Sequence, residues 1–126
     1  MYWAIQLSKE MQARVMRVFY KFFKFPENWT LHCDHITIIH SSHKDWVTAS
    51  KLLLNFKDQS VKFTIDGVGI SESAVAFRVS AYTANRNSHI TIATAPSAKP
   101  VESNNIEYWE KLYCTEEFEG RLILKD

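Results

Sequence analysis

Polar and apolar residues alternate along residues 2–7, which reads as an opening strand. Ser8 then stands where a helix N-cap belongs, with Glu10 in the first turn. Met11, Val15, Val18, Phe19 and Phe22 recur at helical spacing and predict one buried stripe on that helix. Pro26, which has no N–H to donate, is expected to close it, and Pro26-Glu27-Asn28 reads as a turn into a β-type run from Trp29 to Ile39. After the polar segment Ser41–Asp45, Asp45 is a candidate cap for a second helix whose inward face is Trp46, Ala49, Leu52, Leu53 and Phe56. Val61–Ile65 and Ala74–Val79 are strand-like, joined by a stretch in which Gly67, Gly69 and Ser71–Ser73 are bend and turn residues. His89–Ala93 is a further strand and Pro96–Pro100 a loop. A short third helix capped by Ser103 carries Ile106 and Trp109 inward, and Arg121–Lys125 closes the chain as a strand. The expected class is α+β, an α/β sandwich of about three helices and six strands.

With 126 residues, 46% of them hydrophobic, the chain suits one domain spanning 1–126 and has too little surface to bury for two. Fifteen basic residues against 14 acidic ones leave no broad cationic face for long nucleic acid, so a small or end-bound ligand fits better. Cys33 and Cys114 form no CxxC pair, and the first residues lack the basic and apolar regions of a signal peptide, so a reducing cytoplasm is the expected location. No apolar run approaches the roughly 20 residues that cross a bilayer, and neither a membrane association nor an obligate protein partner is indicated.

One short pattern repeats. His35-Ile36-Thr37-Ile38 and His89-Ile90-Thr91-Ile92 are identical tetrapeptides, each on a predicted strand after a polar segment, as a duplicated half-domain would produce. Strand side chains alternate faces, so each copy presents an imidazole and a hydroxyl on one face and two isoleucines on the other. Two such pairs facing one another supply a base for the attacking oxygen, an acid for the leaving oxygen and hydroxyl donors for the non-bridging oxygens of a phosphate. Histidine suits both roles because its ordinary pKa of about 6.5 lets one copy be neutral and the other charged. The arrangement requires no metal and no cofactor.

A metal site is the competing reading, drawn from His32, Cys33, His35, His40 and His43. If the strand runs on, His32 and His40 lie at odd offsets from His35 and so on the opposite face, and the second half offers only His89 and Cys114 without zinc-type spacing. His32, His40 and His43 are therefore expected on the surface or in loops. Cys33 abuts the motif but has no oxyanion turn to make it a nucleophile. Tyr2, Trp3, Trp29, Trp46 and Tyr82 are aromatic candidates for stacking a base, among which spacing does not choose.

The paired HxT motifs resemble those of the two-histidine (2H) phosphoesterases, most nearly the cyclic phosphodiesterase domain of tRNA ligases, over roughly residues 30–125. The likeness is carried by Asp34-His35-Ile36-Thr37-Ile38, by Gly69-Ile70 with Ser73–Val79, by Ser88–Thr94 and by Ala98–Asn104. It implies a bilobal fold with two antiparallel sheets facing each other across a central cleft and helices packed outside. It also implies hydrolysis of a 2′,3′-cyclic phosphate on RNA ends or small nucleotides, usually to a 2′-phosphate, with His35 and His89 as base and acid and Thr37 and Thr91 holding the phosphate. Lys99, Ser103 and Asn104 match a recurrent downstream motif, which implies a part in substrate binding. A cyclic oligonucleotide second messenger is the alternative substrate, in which case the protein would be a counter-defence factor, and a nucleotide-binding module without turnover is the alternative class.

Overall fold

The computed structural model describes residues 1–126 as eight strands, two α-helices and two 3₁₀ helices, a mixed α+β chain whose strands all pair antiparallel. Strand β1 (Tyr2–Gln6) leads into helix α1 (Lys9–Phe22), and the Ser8 hydroxyl caps that helix by accepting the Met11 N–H at 3.1 Å. Met11, Val15, Met16 and Phe19 are buried on α1, whereas Phe22 is exposed. The helix ends there, with the Phe23 N–H donating to the Phe19 carbonyl well before Pro26.

The run from Trp29 to Ile39 is two strands rather than one, β2 (Thr30–Leu31) and β3 (His35–His40). Cys33 between them has φ 56, a left-handed conformation that breaks the pleat. Both pieces still lie along the same edge of β6 (His89–Thr94), because the His32 and Cys33 N–H groups donate to the Ile92 and Thr91 carbonyls. Helix α2 (Trp46–Leu53) follows. Its expected cap Asp45 makes no side-chain capping bond, and no residue of α2 is fully buried. Trp46, Ala49 and Leu53 lean on Trp3, Ile39 and Leu122, while Leu52 and Phe56 face outward.

Strand β4 (Ser60–Ile70) runs straight through the predicted bend. Neither Gly67 nor Gly69 has a positive φ; Gly69 is there because a Cβ would lie 2.6 Å from the Trp109 ring, which packs directly on its backbone. The reversal comes at Ser71–Ser73, ahead of β5 (Ala74–Val79). The Ser103-capped helix is instead a 3₁₀ helix over Pro100–Asn105 with Ser103 inside it, followed by β7 (Trp109–Lys111) and β8 (Glu117–Lys125). Ile106 is buried as expected and Trp109 only half so.

Pairing runs β2-β6-β3-β1-β8-β4-β5, β7 adds to β4, and a β5–β6 ladder closes the path. β4 changes partners midway, pairing β8 over Ser60–Thr64, β5 from Ile65 on across a bulge at Asp66, and β7 beyond that bulge. Two groups of strands result, one around β3, β1 and β8 and one around β6, β5 and β7, sharing β4. Their only other seam is the β3–β6 pair, a single ladder position at Ile36↔Ile90. The main core lies under α1, with Ile5, Phe63, Phe77, Ile90 and Phe118 of the strands against Val15 and Phe19 of the helix. No helix is long and apolar enough to cross a membrane.

Candidate active site

Ile36 and Ile90 are both fully buried on the core side of that seam, so the residues flanking them emerge on the other face. The antiparallel register about Ile36↔Ile90 sets His35 across from Thr91 and Thr37 across from His89, with the histidines on a diagonal. All four line one cleft of about 930 Å³. The duplication extends beyond the tetrapeptides. On β3 the ladder with β1 slips by one residue at Ile38, and on β6 the ladder with β5 slips at Ile92, the fourth residue of each copy. Opposite each threonine the neighbouring strand carries a fully buried alanine, Ala4 facing Thr37 and Ala76 facing Thr91.

The bulge at Ile38 corrects the strand parity read from the sequence. Ile39 takes the core face, and His40 returns to the face of His35, paired with Tyr2 and stacked on its ring at 6.3 Å. His40, His43 and Lys44 consequently line the first-motif end of the cleft, with Tyr2 5.6 Å from the His35 ring. His32 stays apart, its Nε2 2.9 Å from the Thr94 hydroxyl. No group of three or more His, Cys, Asp or Glu side chains is arranged to hold a metal ion. Cys33 is buried beside Asp34, and its thiol is pushed up to about 12, first by burial and then by that carboxylate, so it is no thiolate at neutral pH.

The two histidines are held differently. His35 Nδ1 lies 2.9 Å from the Asp34 carboxylate, a contact the broken pleat at Cys33 makes possible, since sequence neighbours on a regular strand point apart. The Asp34 carboxyl is lowered from its ordinary range, chiefly by that hydrogen bond. The Asp34 carbonyl also accepts the Leu7 N–H and the Gln6 side-chain amide, which ties the broken pleat to the end of β1. His89 Nδ1 lies 2.7 Å from the Asn87 carbonyl, which fixes Nδ1 as the protonated nitrogen and leaves Nε2 of the neutral ring as an acceptor. Burial, opposed in part by the Asn87 bond and aided by the nearby His35, pulls the His89 pKa below its ordinary value.

The threonines differ as well. The Thr91 hydroxyl lies 2.8 Å from the Ser103 hydroxyl and donates weakly to the Pro100 carbonyl at 3.3 Å, whereas the Thr37 hydroxyl has no protein partner. Ser103 is fully buried and backs Thr91 from within the 3₁₀ helix. Asn104 lines the cleft, and Lys99 is exposed outside it. The structure thus brings together His35, Thr37, His89, Thr91 and Asn104, sets Ser103 behind them, and leaves Lys99 apart.

Sequence reasoning passed over Asp34, Asn87 and Trp109. Asp34 and Asn87 each lie within two residues of a motif histidine, a signal of position that alternation on an unbroken strand would discount. The Trp109 ring, read as core, sits 6.3 Å from that of His89. Chemically, the site offers one neutral imidazole acceptor, one imidazole backed by a carboxylate and two hydroxyls around a single opening. No protein-family model matches the chain, and no curated protein matches it significantly.

Proposed function

We propose that this chain is a metal-independent phosphodiesterase of the two-histidine type that opens a 2′,3′-cyclic phosphate on an RNA end or small nucleotide. The observation that carries the reading is the antiparallel meeting of the two His–Thr pairs about Ile36 and Ile90, which gives one cleft an acid/base group and a hydroxyl from each side. The two strand groups sharing β4, each with one motif, also suit the bilobal, two-sheet architecture that the resemblance implies.

His89 is the base. Its Nδ1–H is committed to the Asn87 carbonyl and its lowered pKa keeps it neutral, so Nε2 takes the proton of the attacking water as the new P–O bond forms. His35 is the acid. The Asp34 carboxylate holds the imidazole through Nδ1, and its Nε2–H passes to the leaving ribose oxygen as the ring P–O bond breaks. Departure of the 3′ oxygen yields the 2′-phosphate. Thr37 and Thr91 donate to the non-bridging oxygens as charge builds on them, and Thr91 turns its proton from the Pro100 carbonyl to the phosphate while the Ser103 hydroxyl donates to Thr91.

Incubation with nucleoside 2′,3′-cyclic phosphates, RNA ending in a cyclic phosphate and cyclic oligonucleotides, with product analysis, tests the reading. Ring-opened 2′-phosphates are expected, with turnover persisting in EDTA. Turnover of cyclic oligonucleotides alone would replace the substrate, and binding without turnover of any would replace the enzyme with a nucleotide-binding module.

A further inference from the structure

A second cavity of about 730 Å³ adjoins the cleft on the His89 side, and Asn85 and Asn104 border both. Only Ile106 and Trp109 among its lining residues are apolar. The side chains of Asn85, Asn87, Asn104, Asn105 and Arg86 make no hydrogen bond to the protein, and Arg86 enters no ion pair. Four amides and a guanidinium therefore keep their full hydrogen-bonding capacity around one concave wall, where folding does not use it. Trp109 has a fixed attitude in contrast. Its Nε1–H donates to the Ile106 carbonyl at 3.1 Å and its ring lies on the Gly69 backbone, so the indole is a preset surface beside His89.

Charge narrows the ligand. Arg86 is offset by Glu107 in the same cavity, so the wall has no net positive charge for a further phosphate. Asparagine amides pair donor with acceptor, the pattern that matches the edge of a nucleobase, and an aromatic face stacks one. Resting on the phosphodiesterase reading, we propose that this cavity is a nucleobase subsite: it receives the base of the nucleotide whose cyclic phosphate lies between His35 and His89, with Asn87 and Asn105 on its edge and Trp109 against its face. Substrate selection then rests on the base, and the His–Thr pairs contribute none of it.

Calorimetric titration with free adenosine, guanosine, cytidine and uridine tests the subsite without any phosphate chemistry. Wild-type protein is expected to bind at least one nucleoside. Asn87→Ala and Asn105→Ala, which remove unspent amides and no structural bond, are each expected to weaken it by roughly 3–10-fold. His35→Ala leaves nucleoside binding unchanged. In the kinetic arm, Asn105→Ala, which lies away from both His–Thr pairs, lowers kcat/KM on nucleoside 2′,3′-cyclic phosphates by the same factor and leaves glycerol 1,2-cyclic phosphate, which has no base, unaffected. No nucleoside binding at millimolar concentration, binding indifferent to both substitutions, or equal loss on the base-free substrate overturns the subsite. Nucleoside binding that responds to the Asn variants in a protein that turns over no cyclic phosphate supports the subsite and overturns the phosphodiesterase reading alone.

Discussion

His35 and His89 occupy corresponding places in two identical tetrapeptides, each followed by a bulge at its fourth residue and each facing a buried alanine across the next ladder. Their environments nevertheless diverge. The first histidine meets a carboxylate, stands beside the Tyr2–His40 stack and has a threonine with no protein partner. The second meets a backbone carbonyl, has its pKa lowered chiefly by burial, and has a threonine tied to Ser103. A symmetric pair of imidazoles has no reason to divide acid from base. The asymmetry of the neighbours supplies one, because burial disfavours charge on His89 while the Asp34 carboxylate holds His35 through Nδ1.

The largest effects come from removing either histidine. His35→Ala and His89→Ala should each lower kcat/KM on a cyclic phosphate by about 10²–10⁴-fold, and the double variant should be little worse than either single one, because both serve one concerted transfer. His40→Ala shares the His35 face without sharing the role; it should keep more than about a tenth of the activity, and a collapse to the level of His35→Ala would move the acid to His40.

The threonines separate the halves more finely. Thr37→Val and Thr91→Val should each cost about 1.5–3 kcal/mol of transition-state stabilisation, seen as reduced catalytic efficiency. Only Thr91→Val should also destabilise the fold, by about 1–3 kcal/mol in a urea titration, since it strands the buried Ser103 hydroxyl. Equal stabilities for the two variants would mean that Ser103 finds another partner and that this difference between the halves is energetically empty.

The smallest effect is on stability against pH. His89 has a lowered pKa in the folded chain, so between its ordinary value of about 6.5 and the folded value the unfolded chain binds the extra proton. Its contribution is therefore complete above about pH 6.5 and is lost as the pH falls from there toward the folded pKa. His32, lowered first by burial, adds in the same direction. Urea midpoints from pH 7.5 down to 5 should fall more steeply for wild type than for His89→Asn, and parallel curves would show that burial of His89 does not resist its charging.

The features visible in the sequence were those that depend on local alternation. The tetrapeptide pattern put His35 with Thr37 and His89 with Thr91 on one face and Ile36 and Ile90 in the core, and Ser8 marked the start of α1. Failures cluster where tertiary contacts override alternation. The bulge at Ile38 and the left-handed Cys33 reset parity, moving His40 into the cleft and the Asp34 carboxylate onto His35. Gly69 looked like a turn residue because the ring it accommodates, Trp109, arrives from forty residues further along the chain. Ser103 looked like a cap and is the buried partner of Thr91.

By itself, then, the sequence determined that His35 with Thr37 and His89 with Thr91 come as two equal pairs, each on one face of its strand, since side-chain direction on a short strand follows from period-two geometry. That the pairs meet antiparallel at a single isoleucine contact, that one histidine is backed by a carboxylate and the other buried, and that an unspent amide-lined cavity opens beside the second were decided by the tertiary structure alone. Each depends on where a backbone slips by one residue or on which distant segment packs against it, and those outcomes are set by the free energy of the whole packed chain rather than by any window of it.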